Sequence, residues 1–335
     1  MNRFDYVRAG TVAEAVQAMA GGGRVIAGGT NLVDLMKYNV ERPERLIDIT
    51  RLPLDAIEEN EGGLRIGALV TNTDAAYDER IASRYPVLAS AILAGASGQL
   101  RNAATTGGNL NQRTRCYYFY DEATPCNKRE PGSGCPAIGG VNRIHAIFGT
   151  SPSCIATHPS DMCVALAALD ATVRVAGPNG ERIIPFAEYH RLPGDTPQID
   201  TTLAPDEIVL SVDLAQQDAA SHYTYLKLRD RLSYAFALVS VAALLDLDGD
   251  TIRSARFALG GVAHKPWRNA EAEAFLQGKP ATQDNFEAAA DIVVREAKPQ
   301  SGNAFKVELA RRAIVRGLSQ AAAGTPQSLS DKRIA

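Results

Sequence analysis

The sequence contains no apolar run long enough to cross a membrane. Its longest apolar stretch, residues 235–245, falls well short of the roughly 20 residues that a spanning helix needs. The first ten residues hold neither an apolar signal-peptide segment nor a pair of arginines. We therefore expect no membrane span and no export signal carried by the chain itself.

A strong excess of charge of either sign is also absent. The 335 residues include 35 Lys and Arg against 38 Asp and Glu, a formal net charge of −3. Such a balance gives no general attraction for nucleic acids or anionic membranes. With 45% hydrophobic and 22% charged residues, the composition is that of a folded protein. The length suits two or three domains.

Several common catalytic signatures are missing. The sequence contains no G-x-G-x-x-G dinucleotide fingerprint and no P-loop. None of its serines lies in a nucleophile elbow. These absences argue against a Rossmann dehydrogenase, a kinase and a serine hydrolase.

Cysteine is scarce and unevenly distributed. Four of the five cysteines lie between residues 116 and 154, separated by 9, 8 and 18 residues. Zinc sites usually bring closer pairs, whereas thiolates on a long loop can converge on a 4Fe–4S cluster without a fixed spacing. Spacing alone leaves a cluster and zinc equally open, with disulfides less favoured in a chain of this size. The fifth, Cys163, lies in an amphipathic helical pattern and is expected to be a core residue.

Two Gly-Gly segments have similar flanks. The first glycine segment (residues 27–32) follows a predicted strand and precedes a predicted helix, and the second (residues 105–110) is predicted to be a loop. Glycines at a helix start expose backbone N–H groups and allow an anion such as a pyrophosphate to approach closely. One such segment is usually a turn, but two together favour a single extended anionic ligand.

Strand and helix patterns divide the chain into two parts. Thr11 and Glu14 form a predicted capping box at the first helix, and a hairpin is predicted around the turn at residues 177–180. Beyond about residue 218, strands at 223–228, 237–247 and 253–259 precede helices at 270–277, 283–297 and 303–318. This second part is predicted to be a separate, smaller sheet covered by helices.

Three ordered motifs resemble those of the FAD-binding subunit of molybdenum hydroxylases, the family of xanthine dehydrogenase, aldehyde oxidoreductase and carbon monoxide dehydrogenase. They are Ala27-Gly-Gly-Thr-Asn-Leu, Arg101-Asn-Ala-Ala-Thr-Thr-Gly-Gly-Asn-Leu and Pro159-Ser-Asp. The resemblance covers essentially the whole chain. Cys116-Tyr-Tyr-Phe-Tyr and Ser233-Tyr-Ala-Phe-Ala are most similar to the bacterial periplasmic aldehyde oxidoreductases, whose flavin subunit carries an additional 4Fe–4S cluster.

The resemblance implies an α+β fold with a two-part FAD-binding domain and a smaller C-terminal domain. Residues 1–217 would form a vanillyl-alcohol-oxidase-type FAD-binding domain, with an iron–sulfur insert at about 111–158. Residues 218–325 would form the family's C-terminal domain of antiparallel sheet and helices. A loose tail would follow at 326–335.

The resemblance also implies the site residues. The two glycine segments would hold the FAD pyrophosphate and ribityl chain, Asp161 would bind a ribityl or ribose hydroxyl, and Lys227 and Tyr234 would meet the isoalloxazine edge. The implied FAD residues are Arg24, Val25, Ile26, Ala27, Gly28, Gly29, Thr30, Asn31, Leu32, Thr105, Gly108, Asn109, Asn111, Asp161, Lys227 and Tyr234. The implied ligands of a 4Fe–4S cluster are Cys116, Cys126, Cys135 and Cys154.

The chain contains no residues that look like a molybdenum site and no plant-type ferredoxin motif. The resemblance therefore implies an electron-transfer subunit without catalytic residues of its own. It would receive electrons from a large molybdenum-cofactor subunit and a small 2Fe–2S subunit and pass them through FAD to an external acceptor. Export with a twin-arginine-bearing partner would place it in the periplasm; otherwise it is cytoplasmic. The alternatives are a zinc-stapled scaffold or binding module and a stand-alone FAD oxidase.

The five histidines show no metal-like spacing. We expect them to be surface or loop residues, with His158, between Cys154 and Asp161, as the one to examine. The aromatic run at 117–120 is expected either to shield a cluster or to form a buried strand or partner contact.

Overall fold

The computed structural model describes residues 1–217 and 221–324. The predicted loose tail at 326–335 and the predicted domain start at 218 lie outside these described residues. The strands within them are β1 (Asp5–Arg8), β2 (Arg24–Ile26), β3 (Arg45–Asp48), β4 (Ile57–Asn60), β5 (Gly63–Gly67), β6 (Thr172–Gly177), β7 (Gly180–Pro185), β8 (Ile208–Leu214), β9 (Tyr223–Leu228), β10 (Val239–Asp248) and β11 (Thr251–Gly260).

The helices of the same ranges lie mostly between the sheets or on their outer faces. They are α1 (Val12–Ala20), α2 (Leu32–Lys37), α3 (Asn72–Tyr77), α4 (Glu79–Arg84), α5 (Pro86–Ala94), α6 (Gly98–Ala103), α7 (Thr106–Leu110), α8 (Tyr117–Tyr120), α9 (Asp161–Ala168), α10 (Phe186–Tyr189), α11 (Ala270–Leu276), α12 (Gln283–Val294) and α13 (Phe305–Ala322).

The N-terminal sheet is small and parallel, with the strand order β1-β3-β2. The helix α1 begins where the capping pattern predicts it, because the Thr11 hydroxyl accepts a hydrogen bond from the Glu14 amide. The Glu14 carboxylate accepts from the amide of Gly10. Since β2 ends at Ile26, the first glycine segment leaves from the carboxyl edge of this sheet.

The central sheet has five antiparallel strands in the order β4-β5-β8-β6-β7. The predicted hairpin is confirmed, with Gly177 paired to Gly180 across the turn. The largest core of the molecule lies between this sheet and the apolar helices α5 and α9. The buried Cys163 belongs to that core, as predicted.

The C-terminal sheet is antiparallel, in the order β11-β10-β9. Its central strand β10 is buried on both faces: Ala242 and Leu244 face the core with α5 and α9, while Val241, Ala243 and Leu245 face the core with α11, α12 and α13. A strand covered on both sides needs no polar alternation. This explains why the longest apolar run of the chain lies here.

The structure confirms the α+β class and most of the predicted elements. It also contains two strands that no apolar pattern predicted. All four residues of β1 are exposed, and β4 reads Ile-Glu-Glu-Asn. One local prediction was wrong, because the second glycine segment is mostly the helix α7. The aromatic run forms the helix α8, which rules out the strand among its alternatives.

Candidate functional site

The first glycine segment has amide groups that the protein itself does not use. Gly29 has φ = +71°, a backbone conformation that favours glycine, and the chain turns there between β2 and α2. Across the described residues, no hydrogen bond uses the amides of Gly29, Thr30 or Asn31. Successive unpaired amides suit an anionic group.

Gly28 allows the two glycine segments to touch. A Cβ at Gly28 would lie 1.8 Å from the carbonyl oxygen of Ala103 and 3.4 Å from the Cα of Ala104, directly before the second segment. No side chain fits at that distance, so the close approach depends on glycine. The two segments consequently form adjoining walls of one site.

The second glycine segment is fixed by its own hydrogen bonds. The amides of Thr106 and Gly107 each donate, at 2.9 Å, to carbonyl oxygens just beyond β5. The Thr105 hydroxyl caps α7 by accepting from the Gly108 amide at 3.3 Å. Because these amides are occupied, this segment offers a ligand its side chains and its close backbone approach at Gly108.

Two cavities, of about 400 and 800 Å³, meet at the glycine segments. Both are lined by Thr30, Asn31, Gly108, Gln112 and His158. The first cavity extends along β2 and residues 198–209, and the second extends toward α9 and residues 230–238. An elongated ligand that crosses both glycine segments therefore has room on either side of them.

All sixteen residues that the resemblance assigned to FAD line one or both cavities. The first cavity contains Arg24, Val25, Ile26, Ala27, Gly28, Gly29, Thr30, Asn31, Leu32, Thr105, Gly108 and Asn111. The second cavity contains Thr30, Asn31, Gly108, Asn109, Asp161, Lys227 and Tyr234.

Asp161 and Lys227 form a buried ion pair at the wall of the second cavity. The Lys227 Nζ lies 2.8 Å from Asp161 Oδ2, and their side chains are 3% and 8% exposed. Tyr225 donates to Asp161 Oδ1 at 2.6 Å, and Lys227 also donates to the Ala94 carbonyl at 3.1 Å. Lys227 is thus held inside the protein by two acceptors.

Asn109 links the second glycine segment to the start of α9. Its Nδ2 donates to Asn72 at 2.7 Å, and its Oδ1 accepts from the Ser160 hydroxyl at 2.6 Å. Asn111 makes a similar link, donating to the Gly107 carbonyl and accepting from Tyr189. These amide side chains hold the site together while also lining it.

The side chains at the two ends of the site are exposed. Arg24 is exposed and pairs with Glu41 at 3.1 Å. Tyr234 is 58% exposed, has φ = +51°, and accepts a hydrogen bond on its carbonyl oxygen from Arg231. Both side chains are therefore within reach of a ligand that emerges from the cavities.

His145, His158 and His264 lie in loops, as expected, but four of the five histidines are buried instead of lying at the surface. His145, His158, His190 and His264 are buried. The rings of His158 and His190 lie 4.3 Å apart behind the second glycine segment, where His190 Nε2 donates to the Leu110 carbonyl. Ligand atoms of these two residues and of Cys163 all lie within 4.8 Å of one another.

We expect the burial of His190 to make the protein sensitive to acid. Burial lowers the pKa of His190 to about 4, against about 6.5 in an unfolded chain. Between these values the unfolded state binds more protons, so the free energy of unfolding falls as the pH is lowered. Urea titrations at several pH values give the free energy of unfolding as a function of pH. In His190→Gln we expect this free energy to change less steeply with pH, by up to about 1.4 kcal/mol per pH unit. An unchanged slope would contradict the assignment.

The four clustered cysteines line one small third cavity, here called the cysteine cavity. They belong to the described part of the chain and none forms a disulfide, so that alternative was wrong. Cys116, Cys126 and Cys154 are buried, and Cys135 is partly buried. Phe119 is 1% exposed and packs with the three buried cysteines. Together with Tyr118 it lines the cavity.

Among the sulfurs of the cysteine cavity, those of Cys135 and Cys154 interact directly, but no three sulfurs lie close together. Within the described residues, His158, Cys163 and His190 form the one group of three whose ligand atoms lie within 4.8 Å of one another. No three of the clustered sulfurs therefore meet that limit. A tetrahedral zinc ion with bonds of about 2.3 Å would hold its sulfurs closer than this, and the spacing favours a larger centre.

Sequence reasoning missed a charged network between the cysteine cavity and the first cavity. Lys128, whose side chain is 1% exposed, pairs with Asp200, and Arg113 Nε lies 2.6 Å from the other oxygen of Asp200. Arg113 also donates its amide to Asn31 Oδ1 at 2.9 Å. These cations hold the pKa of Asp200 well below its usual range. No motif marks these residues, because they meet only through the fold.

Residues 2–216 match the FAD binding domain in molybdopterin dehydrogenase, and residues 223–321 match the CO dehydrogenase flavoprotein C-terminal domain. The chain belongs to the FAD-binding subunits of the molybdenum hydroxylases. It is therefore an oxidoreductase component, and the scaffold alternative was wrong.

Individual relatives of this FAD-binding subunit cover almost its whole length. It is 53% identical to the aldehyde oxidoreductase FAD-binding subunit PaoB of Escherichia coli K12 over 328 residues, which are 96% of this chain and 99% of that protein. It is 26% identical over 327 residues to the carbon monoxide dehydrogenase medium chain of Hydrogenophaga pseudoflava, covering 95% and 97%.

A solved structure shares the fold of this FAD-binding subunit. The carbon monoxide dehydrogenase from Hydrogenophaga pseudoflava that lacks the Mo-pyranopterin moiety superimposes with a TM-score of 0.76 and 26% identity, over 96% of this chain and 98% of that one. Among the described helices of this subunit, none combines the length and the apolarity needed to cross a membrane.

Proposed function

We propose that this subunit transfers electrons within a heteromeric, molybdenum-dependent aldehyde oxidoreductase. The observation that carries the proposal is the junction of the two cavities at both glycine segments, next to the unused amides of residues 29–31. The 53% identity to an aldehyde oxidoreductase subunit supports the substrate class. In this complex the aldehyde is oxidised on a large molybdenum-cofactor subunit, and electrons arrive here by way of a small 2Fe–2S subunit before they pass to an external acceptor.

The residues fit FAD in three respects. The unused amides of Gly29 to Asn31 suit the pyrophosphate, the cavities provide space on both sides of it, and Gly108 allows close approach from the second segment. We assign Asp161 to a ribityl or ribose hydroxyl, and Lys227 and Tyr234 to the isoalloxazine edge. When bound, FAD supplies a carrier for one electron or two.

We also propose that Cys116, Cys126, Cys135 and Cys154 hold one 4Fe–4S cluster. Three observations support this assignment over zinc: the common cavity of the four cysteines, the lack of any three described sulfurs within 4.8 Å of one another, and the apolar cover of Phe119. The insert that carries them spans about residues 111–158, inside an FAD-binding domain of residues 1–217. The family matches that end at 216 and resume at 223 support the division into this domain and a second one at 218–325.

The location of the complex is a further part of the proposal. We propose that the folded subunit reaches the periplasm together with a partner that carries a twin-arginine signal. Cell fractionation with an antibody against this chain would reveal the alternative, which is a cytoplasmic complex.

Anaerobic purification of the chain with its native partners tests the proposed function. We expect one FAD and about four irons per chain beyond those of the partners, with matching acid-labile sulfide. Two further chains should co-purify, and an aldehyde should bleach the flavin absorbance. Bleaching by a substrate in the isolated chain would favour a stand-alone oxidase instead. Carefully handled protein without flavin would overturn the proposal.

Replacing a clustered cysteine should remove the additional iron. We expect Cys154→Ala to lose about four irons per chain, because the remaining sulfurs cannot complete the site. The matched control is Cys163→Ala, because Cys163 is also buried but lies in the main core. The control should keep its iron, as measured by metal analysis of both variants. Iron that persists in Cys154→Ala would refute the ligand set.

A further inference from the structure

Two buried histidines contact sulfur atoms of the cysteine cavity. His145 Nε2 lies 3.0 Å from the Sγ of Cys116, and His264 Nε2 lies 3.6 Å from the Sγ of Cys154. Both distances are within hydrogen-bond range for sulfur. His145 comes from the cysteine-rich insert, whereas His264 follows β11 of the C-terminal sheet.

The backbone around each histidine is firmly anchored. The His145 carbonyl accepts hydrogen bonds from Lys306 at 2.9 Å and from Asn303 at 3.1 Å. Lys306 lies in the first turn of α13, and Asn303 lies just before that helix. Next to His264, the Ala263 carbonyl accepts from the His158 amide at 2.9 Å. Neither ring is therefore free to leave its sulfur by a simple loop movement.

The direction of these hydrogen bonds follows from the proposed cluster, on which this inference rests. An iron-bound thiolate carries no proton and can only accept a hydrogen bond. The Nε2 atoms must then carry the ring protons. The Nδ1 atoms of both rings have no hydrogen-bond partner among the described residues. The tautomer of each ring is therefore set by the contact of its Nε2 atom with sulfur.

The surroundings of these sulfurs carry a cation but no close carboxylate of their own. Lys128 lines the cysteine cavity, and its side chain is 1% exposed. Its partner Asp200 is shared with Arg113, which also pairs with Glu41. These four charges balance, and Lys128 is the one that lines the cysteine cavity itself. Donors and cations near cluster sulfurs stabilise the form with the additional electron.

We propose that His145 and His264 donate N–H···S hydrogen bonds to the thiolates of Cys116 and Cys154 and thereby raise the reduction potential of the cluster. One histidine from each part of the chain then tunes the same centre. Since the proposed domains each contribute one donor, the potential depends on their being packed together.

A redox titration of the intact complex tests this inference. Dithionite serves as reductant, and EPR at liquid-helium temperature follows the cluster of this subunit. Each of His145→Phe and His264→Phe retains an aromatic ring but removes the donor. We expect each variant to lower the equilibrium constant for reduction of the cluster about tenfold. For a one-electron couple this is a shift of about 59 mV to lower potential. The iron content should stay unchanged.

Matched variants separate tuning from folding. His222→Phe changes a histidine whose ring is bonded to the Ala321 carbonyl instead of a cysteine, and it should leave the potential unchanged. His145→Gln keeps an N–H donor and should recover part of the lost potential. Unshifted potentials in both Phe variants with full iron would overturn the inference, as would loss of iron from them, which indicates a structural or ligand role. Wild-type protein without the additional iron would instead refute the proposed cluster.

Discussion

Gly28→Ala is expected to cost this subunit its flavin. The new Cβ would lie 1.8 Å from the Ala103 carbonyl oxygen, about half an ordinary contact distance, and 2.7 Å from the Ala103 carbonyl carbon. Both are backbone atoms that cannot rotate away, so the two glycine segments must separate. Forced overpacking of this kind costs typically about 1–3 kcal/mol. We expect the FAD content of the purified variant to fall at least tenfold, measured by absorbance after release from the protein.

Gly98→Ala is the matched control for this variant. Gly98 lies at the start of α6, and a Cβ there meets no atom within 4 Å. Alanine also favours helix over glycine by up to about 1 kcal/mol. This variant should keep its FAD and its thermal stability. Equal flavin contents in the two variants would show that contact between the glycine segments is unimportant for binding.

Asp161→Ala is expected to destabilise the protein even before any effect on FAD. The substitution leaves the Lys227 ammonium buried without its anionic partner, and it removes the acceptor of the Tyr225 hydroxyl. Removing one member of a buried pair costs roughly 3–5 kcal/mol. We expect a loss of this size in the free energy of unfolding of flavin-depleted protein, measured by urea titration.

An exposed ion pair provides the comparison for Asp161. Glu271 and Arg295 have a similarly close N–O approach, 2.7 Å, but their side chains are 58% and 59% exposed. Water and salt screen such a pair, so Glu271→Ala should cost well under about 1 kcal/mol. Combining Asp161→Leu with Lys227→Met should recover much of the lost free energy of unfolding, because neither position then carries a buried charge. Similar losses for Asp161→Ala and Glu271→Ala would contradict this account.

The family and the fold class could be predicted from the sequence because their signals are local. A strand that ends in Gly-Gly before a helix, the turn at 177–180 and the helical periods near the C-terminus each depend on residues that are close along the chain. The strands β1 and β4 gave no such signal. They pair through their backbones at sheet edges, and their side chains are mostly exposed.

The contacts within the site could not be predicted in the same way. The sequence marked Asp161 and Lys227 as site residues, but only the fold shows that they pair with each other across 66 positions. Lys128, Asp200 and Arg113 were missed entirely, because nothing in their local sequence distinguishes them from surface charges. The burial of four of the histidines could not be predicted either, since a single residue's burial depends on the elements that pack against it from elsewhere.

The sequence by itself determined that this chain has two glycine segments, four clustered cysteines and no long apolar run, and those features specified its family. The tertiary structure alone decided that Gly28 touches Ala103, that the two cavities meet there, and that two histidines reach the cysteine sulfurs. The reason is physical. Backbone conformation and periodicity are encoded by near neighbours, whereas distances, burial and charge partners arise only when distant segments pack together.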